Sequence, residues 1–197
     1  MRQNLYLNTL LSKGAILGLI MLCSHIFEQC AVIYGGTMVW LSAMGFEMLA
    51  MAVVYVWLLY RFAKSFSLAV VQEQSGVKMF SYGRGFSFVV SVSALAGVIV
   101  GLGRYIMHSI VIGHKAYVEA MVKTMHSALS SNPGSAALMS SYEPILRQLQ
   151  TQPEPGIFAT IFSSVWSYML WGIIIGLIVA AIVKVEPKLF DENNTAE

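Results

Sequence analysis

Phe86–Ile112 reads FSFVVSVSALAGVIVGLGRYIMHSIVI, and this stretch decides the fold class. It is longer than the roughly 20 helical residues that cross a hydrocarbon core about 30 Å thick. Ser93, Gly97 and Gly101 recur at every fourth position, which predicts a flat stripe against which a second helix packs closely. The stretch therefore predicts a membrane span that carries its own helix-packing face.

The composition of the whole chain supports the same class. The 197 residues are 57% hydrophobic and 11% charged, whereas soluble domains have about 25% charged residues. A net charge of +2 is too small to favour nucleic-acid binding, so we expect no nucleic-acid partner. Cys23 and Cys30 lie on one predicted helix, about 10 Å apart, which is too far for a disulfide between them.

Three further apolar stretches predict additional spans. The sequence thus indicates an all-α membrane protein, with four transmembrane helices in a single integral membrane domain over residues 1–197. The predicted spans are 14–34, 37–62, 86–112 and 157–183. Two of the added spans carry small-residue stripes of their own, and we expect these to pack helices together. Their residues are Gly14 and Gly18 in the first span, and Gly172, Gly176 and Ala180 in the last.

The region 114–156, between the third and fourth spans, is the only sizeable one outside the predicted membrane. Apolar residues recur there at a spacing of three to four on both sides of Asn132-Pro133-Gly134. This pattern predicts two short amphipathic helices separated by a turn. Two placements stay open, because such helices can cap the bundle or lie on the lipid surface.

Basic residues are distributed unequally between the two sides of the predicted membrane. With the N-terminus on the inner side, eight Lys and Arg residues fall inside and three fall outside. The inner ones are Arg2, Lys13, Arg61, Lys64, Lys78, Arg84, Lys184 and Lys188, and the outer ones are Lys115, Lys123 and Arg147. Because cytoplasmic loops carry the excess of Lys and Arg, both termini are predicted to be cytoplasmic and 114–156 to be outside.

The predicted spans carry an intramembrane polar cluster that consists of His25, Glu28, Glu47, Arg104 and His108. At 1.5 Å per residue from the helix ends, Glu28, Glu47 and Arg104 fall within roughly 6 Å of one another in depth. A charge in lipid costs at least about 2.5–3.5 kcal/mol, so Arg104 is expected to meet a partner, water or the head groups. The shared depth makes an ion pair with Glu28 or Glu47 a geometrically natural prediction. Two interpretations stay open. The cluster is either an ion-pair lock between helices, or a site that handles protons, ions or anionic head groups.

No catalytic, cofactor or metal pattern is present in the sequence. His25-x-x-Glu28 and Arg104-x-x-x-His108 do not reproduce the duplicated Glu-x-x-His set of four-helix di-iron proteins. Gly83-Arg84-Gly85 lacks the Lys-Ser/Thr ending of a phosphate-binding loop. We therefore expect a protein that is not an enzyme and that has no cofactor and no metal.

Two stretches resemble a known family. The first is the aromatic and glycine-rich lead-in Phe80–Phe88, which runs through small residues to Arg104-Tyr105, and the second is the closing Trp171–Lys188. The chain resembles the four-helix inner-membrane family of Bacteroidota-type bacteria catalogued as domain of unknown function four-one-nine-nine. The resemblance covers most of the chain, which departs from the usual pattern in its long, methionine-rich outer loop. It implies a multi-pass protein of the bacterial inner membrane and supplies no activity.

The resemblance also suggests a partner, since members of this family are often encoded near a membrane-associated family-two glycosyltransferase. The leading hypothesis is therefore a non-enzymatic accessory or scaffold protein for the synthesis of envelope polysaccharide or lipid-linked sugars. On this hypothesis the protein docks its partner through the helix stripes and the cytoplasmic segment Phe80–Phe86. The alternative is a small homo-oligomeric transporter or channel, whose path is lined by the intramembrane Glu, Arg and His residues.

Overall fold

The chain is almost entirely helical in a computed structural model that describes residues 2–73, 79–130 and 136–185, without the side chains of 2–4, 73 and 136–140. The helices are α1 (Arg2–Tyr34), α2 (Gly36–Leu49), α3 (Val56–Glu73), α4 (Tyr82–Tyr105), α5 (His114–Ser130), α6 (Ala136–Thr151) and α7 (Ile157–Val183). Two π-helical segments complete them. Ala50–Tyr55 joins α2 to α3, and Ile106–Ile112 extends α4.

Four continuous helices are long and apolar enough to cross a membrane, which confirms that part of the predicted fold class. They cover Leu5–Tyr34, Gly36–Gln72, Tyr82–Ile112 and Ile157–Val183. The last matches its predicted bounds, whereas the other three are longer. The first helix begins earlier, with residues 5–13, and the second continues through residues 63–72. The mean hydropathy is lower in both extensions than in the predicted spans, but packing against the rest of the bundle keeps both segments helical.

Local sequence signals set where the helices begin and end. Gly36 has a φ of +68° at the α1–α2 turn, and Gly113 has a φ of +87° between the second π segment and α5. Both values lie in the left-handed region, which glycine enters without a steric penalty. The Ser81 hydroxyl accepts a hydrogen bond from the Arg84 backbone N–H and so caps α4. The turn at Gly36 makes α1 and α2 an antiparallel hairpin.

The small-residue stripe of α4 packs directly on α7. A Cβ built on Gly97 would lie 2.7 Å from Val165 Cα, and one on Gly101 would lie 2.7 Å from Ile161 Cα. Going the other way, a Cβ on Gly172 would lie 2.5 Å from Ser93 Cβ. The two backbones therefore approach as closely as small residues permit, and α4–α7 is the most extensive helix pair in the described chain.

The remaining small residues of the predicted stripes also lie at helix interfaces. A Cβ on Gly14 would meet the Leu95 side chain, and one on Gly18 would meet Ile99, so α1 packs on α4. Gly176 faces Phe86, and the fully buried Ala180 lies beside Gly85. Helix α4 is accordingly the central helix, with α1 on one side and α7 on another.

The two ends of the bundle differ in how tightly they close. At the end that holds the N-terminus, termed the base end, Phe66 stacks on Phe88 with ring centroids 4.3 Å apart and contacts Phe80 edge-on. Phe80 also pairs with Val185 through two backbone hydrogen bonds of 3.0 Å. Helix α3 contacts α7 here. The base end is therefore a closed aromatic core.

The opposite end, termed the cap end, holds the α1–α2 turn, α5, α6 and the beginning of α7. Here α2 packs on α1 and α5 and makes no extensive contact with α7. Helix α5 crosses α1 and α2 and packs against α6, with Thr124 and Leu146 buried. The predicted turn Asn132-Pro133-Gly134 lies outside the described residues. The cap end is thus looser than the base end, and it is where the intramembrane polar residues lie.

Candidate functional site

A cluster of three ionisable side chains, termed the His–Glu cluster, forms where α1 and α2 face each other. His25 and Glu28 are three residues apart on α1, so they share one helix face. The tight Gly35–Gly36 turn folds α2 back along α1 and brings Glu47 opposite that face. The hairpin thus joins two segments of the chain that are well separated in sequence.

His25 Nδ1 is the centre of the cluster. It lies 2.7 Å from Glu47 Oε1 and 3.5 Å from Glu28 Oε2. The three side chains are 18–19% exposed, so they are largely buried but still reachable from outside the bundle. The Nδ1 direction is not aligned with a hydrogen-bond acceptor, which makes the contact electrostatic in character. One atom from each residue lies within 4.8 Å of the other two.

Unsatisfied polar atoms gather around the same part of the hairpin. Among the described residues, five buried side-chain polar atoms lack a hydrogen-bond partner: Ser24 Oγ, His25 Nδ1, Gln29 Oε1, Trp40 Nε1 and Ser164 Oγ. Four of the five belong to the α1–α2 hairpin. Gln29 is only 4% exposed, and its position four residues after His25 puts it on the same side of α1. Buried polar atoms are normally bonded, so this local excess requires an explanation.

The predicted ion pair between Arg104 and Glu28 or Glu47 is not formed. No carboxylate oxygen of either glutamate lies within the 4.0 Å of an ion pair, although Arg104 is within electrostatic range of Glu47 and His25. The Arg104 side chain is exposed on α4, and Glu47 is engaged by His25 instead. Residue depth does not fix how each helix is rotated about its axis, and the rotation of α4 leaves the Arg104 side chain on the exposed surface.

His108 also lies apart from the His–Glu cluster. Its Nε2 is 2.7 Å from Nδ1 of His114, so one ring donates a hydrogen bond to the other. Its ring contacts Tyr117 edge-on at 4.5 Å. Burial, with the charge of Glu28 adding to it, raises the pKa of Tyr117 to about 12. Tyr117 is therefore a neutral phenol that lies close to the cluster from α5, a contact that the sequence pattern did not indicate.

A layer of hydrogen bonds separates the cluster from the base end. The Tyr55 hydroxyl donates to the Tyr168 carbonyl oxygen at 3.2 Å, and the Tyr168 hydroxyl donates to Met51 Sδ at 3.7 Å. Met51 is one helical turn after Glu47, so this layer lies directly beneath the cluster. It connects the first π segment to α7 and closes the bundle below the polar residues.

Both π-helical segments begin next to the polar residues. Ala50–Tyr55 starts three residues after Glu47, and Ile106–Ile112 starts two residues after Arg104 and contains His108. π-Helical turns inside α-helices are uncommon and are often found at functional sites. They also shift the side chains that follow them around the helix axis, which a regular helical period does not anticipate.

The family comparison covers most of the chain. The model of the family described as protein of unknown function (DUF4199) matches residues 13–185, which include all four long helices from Lys13 onward and the His–Glu cluster. No curated protein and no solved structure matches the chain. The family predicted from Phe80–Phe88 and Trp171–Lys188 is therefore confirmed: this membrane-type helical protein belongs to the DUF4199 family.

Proposed function

We propose that this protein is a non-enzymatic accessory or scaffold protein of the bacterial inner membrane, with both termini in the cytoplasm. The observation that carries the proposal is Arg104, an exposed charge in a membrane-length helix. It forms no ion pair or hydrogen bond in the part of the chain that the structure describes. Because an unpaired charge in lipid is costly, we expect a carboxylate of a partner protein or of a second copy to meet it.

The partner class that the family resemblance implies is a membrane-bound glycosyltransferase acting on envelope polysaccharide or lipid-linked sugars. The predicted cytoplasmic docking segment needs one correction. Phe80 is fully buried in the aromatic core and cannot reach a partner, whereas Tyr82 and Arg84 are exposed. The docking surface that remains on this segment is therefore the first turn of α4.

The test is a pull-down in mild detergent with mass spectrometry, run on wild type, Arg104→Ala and Arg147→Ala. Arg147 is the matched control, because it is an exposed arginine that pairs with Glu143 at 2.7 Å on α6, outside the long apolar helices. We expect one stoichiometric partner or a defined homo-oligomer for wild type and the control. Arg104→Ala should lose the bound partner or dissociate into monomers. A wild-type protein that runs as a lone monomer and co-purifies with nothing contradicts the proposal.

A second candidate, a homo-oligomeric transporter, is favoured by one observation. The helices that carry Glu47 and Arg104 are interrupted by π segments close to those residues, and transporter sites are commonly formed at breaks in membrane helices. The test of this candidate is the flux of protons and monovalent cations in proteoliposomes. Glu47→Gln is the test variant, and Glu119→Gln, at an exposed glutamate of α5, is the control. Equal flux in the two variants excludes transport through the His–Glu cluster.

A further inference from the structure

We propose that His25, Glu28 and Glu47 form a binding site for a divalent transition-metal cation. The sequence alone led to no such expectation, because His25-x-x-Glu28 supplies only two ligands on one helix. The hairpin adds the third, and an imidazole nitrogen and two carboxylate oxygens then lie within 4.8 Å of one another. This inference goes beyond a scaffold role and does not depend on it.

The charge of the cluster is the first argument. Two carboxyl groups face one imidazole, so with both carboxylates ionised the cluster is net negative whether His25 is neutral or protonated. It lies within helices of membrane length. Bulk water is not available there to solvate the carboxylates, so leaving their charges uncompensated costs free energy. Arg104 forms an ion pair with neither glutamate. A divalent cation at this position would neutralise both carboxylates at once.

The unsatisfied polar atoms are a second and independent argument. Gln29 Oε1 is buried without a hydrogen-bond partner on the side of α1 that carries His25. Ser24 Oγ and Trp40 Nε1 are in the same condition on the same hairpin. Three protein ligands leave coordination positions for water on Zn²⁺ or Mn²⁺. Gln29 is one helical turn after His25, so a water bound to the cation could donate a hydrogen bond to its amide oxygen.

The ligand types select the class of cation. One imidazole nitrogen with two carboxylates suits Zn²⁺ or Mn²⁺, whereas Ca²⁺ and Mg²⁺ prefer sites made of oxygen alone. Ligands at about 2.0–2.2 Å in a tetrahedral arrangement are separated by about 3.3 Å. His25 Nδ1 and Glu47 Oε1, now 2.7 Å apart, would therefore move slightly apart on binding, while the third ligand closes in.

Such a cation would also connect elements that are otherwise loosely held. Helix α2 has few neighbours at the cap end. In the apolar 18-residue stretch of Gly36–Gln72, only 17% of the residues are buried. A cation shared by His25 and Glu28 of α1 and by Glu47 of α2 would join the two arms of the hairpin. Binding to the folded state alone would raise thermal stability with metal concentration.

The experiment is calorimetric titration of the purified, metal-free protein in detergent with ZnCl₂ and, separately, MnCl₂. All proteins carry Cys23→Ser and Cys30→Ser, so that no thiol competes for the metal. The test variants are Glu28→Gln and Glu47→Gln, and Glu119→Gln is the control. His114→Ala controls for the His108–His114 pair, where two imidazoles of the described chain meet and could bind the metal instead.

We expect one equivalent of metal to bind the parent protein and both controls with the same affinity. Each test variant should bind about 100-fold more weakly or worse, since even the outer hydrogen-bond partners of metal ligands are worth about 10–100-fold. No binding by the parent, or undiminished binding by both test variants, overturns the proposal. Loss of binding in His114→Ala alone also overturns it, by moving the site to the histidine pair.

One measurement needs no variant at this site, in case a glutamine substitution prevents folding. X-ray absorption at the zinc edge of the loaded parent protein should show nitrogen and oxygen ligands that include a single imidazole. Two or more imidazoles, or uptake of Ca²⁺ and Mg²⁺ in place of zinc, would contradict the assignment. The pull-down with Arg104→Ala reads out partner binding alone, so the two proposals fail separately.

Discussion

At the scale of the residue, what matters most in this protein is which side chains are absent. Gly97 and Gly101 allow the α7 backbone to approach into the space where a Cβ would lie, and at Gly172 the Ser93 side chain of α4 takes that space. Without a hydrophobic driving force in lipid, such close packing is a main source of helix association. Other glycines of this chain have no such role. Gly45 is inside α2, and a Cβ built there meets nothing within 4 Å.

These two environments predict opposite effects of the same substitution. Gly97→Ala should lower the free energy of unfolding by about 1–3 kcal/mol, because the new methyl group meets the α7 backbone. Gly45→Ala should be neutral or stabilising by up to about 1 kcal/mol, because alanine is the better helix former. Unfolding in mixed detergent and SDS micelles measures both. Equal losses in the two variants would show that α4 and α7 do not pack as described.

At the scale of the element, the cap end depends on few contacts. Leu146 is 5% exposed and lies where α6 packs against α5, whereas its neighbour Ile145 is 50% exposed. Pro144 lies inside α6 and removes one of its backbone hydrogen bonds. Helix α6 therefore has little stability of its own and relies on packing against α5. Local opening is expected where buried apolar contacts are few.

We predict that Leu146→Ala opens α6 without unfolding the bundle. Truncating a buried leucine to alanine typically costs about 2–5 kcal/mol, which is enough to expose an element held mainly by that side chain. Hydrogen exchange followed by mass spectrometry should show faster exchange in α6 and unchanged protection in α4 and α7. Ile145→Ala, one residue away and half exposed, should leave exchange unaltered. Protection lost throughout the chain would instead make α6 part of the global folding unit.

At the scale of the whole molecule, the distribution of Lys and Arg predicts one orientation in the membrane. The proposed topology puts the base end in the cytoplasm and the cap end outside, as the excess of Lys and Arg indicates. Lys64 is an exposed residue of α3 at the base end, and Glu143 is an exposed residue of α6 at the cap end. The two positions are thus suitable reporters for opposite sides of the membrane.

Single cysteines at these positions test the topology, in a background of Cys23→Ser and Cys30→Ser. A membrane-impermeant maleimide should label Glu143→Cys in intact cells, because the reagent reaches only the outer side. Lys64→Cys should be labelled only after the cells are lysed. The reverse pattern would invert the protein in the membrane, and labelling of both positions in intact cells would contradict a four-span arrangement.

Local sequence patterns are sufficient to predict the helical class, the family, the four membrane-length helices and the small-residue stripes. These properties depend on local hydropathy and on a spacing of four residues, and both can be read within one segment. The stripe residues Gly97 and Gly172 lie at an interface because the same helix face that lacks bulk is the face that packs closest. The charge count likewise predicts an orientation, which only labelling can decide.

The arrangement of the polar residues, in contrast, depends on how the helices pack in three dimensions. Depth along a helix follows from residue number, but the direction of a side chain changes by about 100° with each residue and again at a π segment. Arg104 and Glu47 are therefore predicted at similar depth and yet form no ion pair, and His25 takes the place expected for arginine. The site exists because the Gly35–Gly36 turn folds α2 back on α1, bringing together residues that no pattern within one segment could relate.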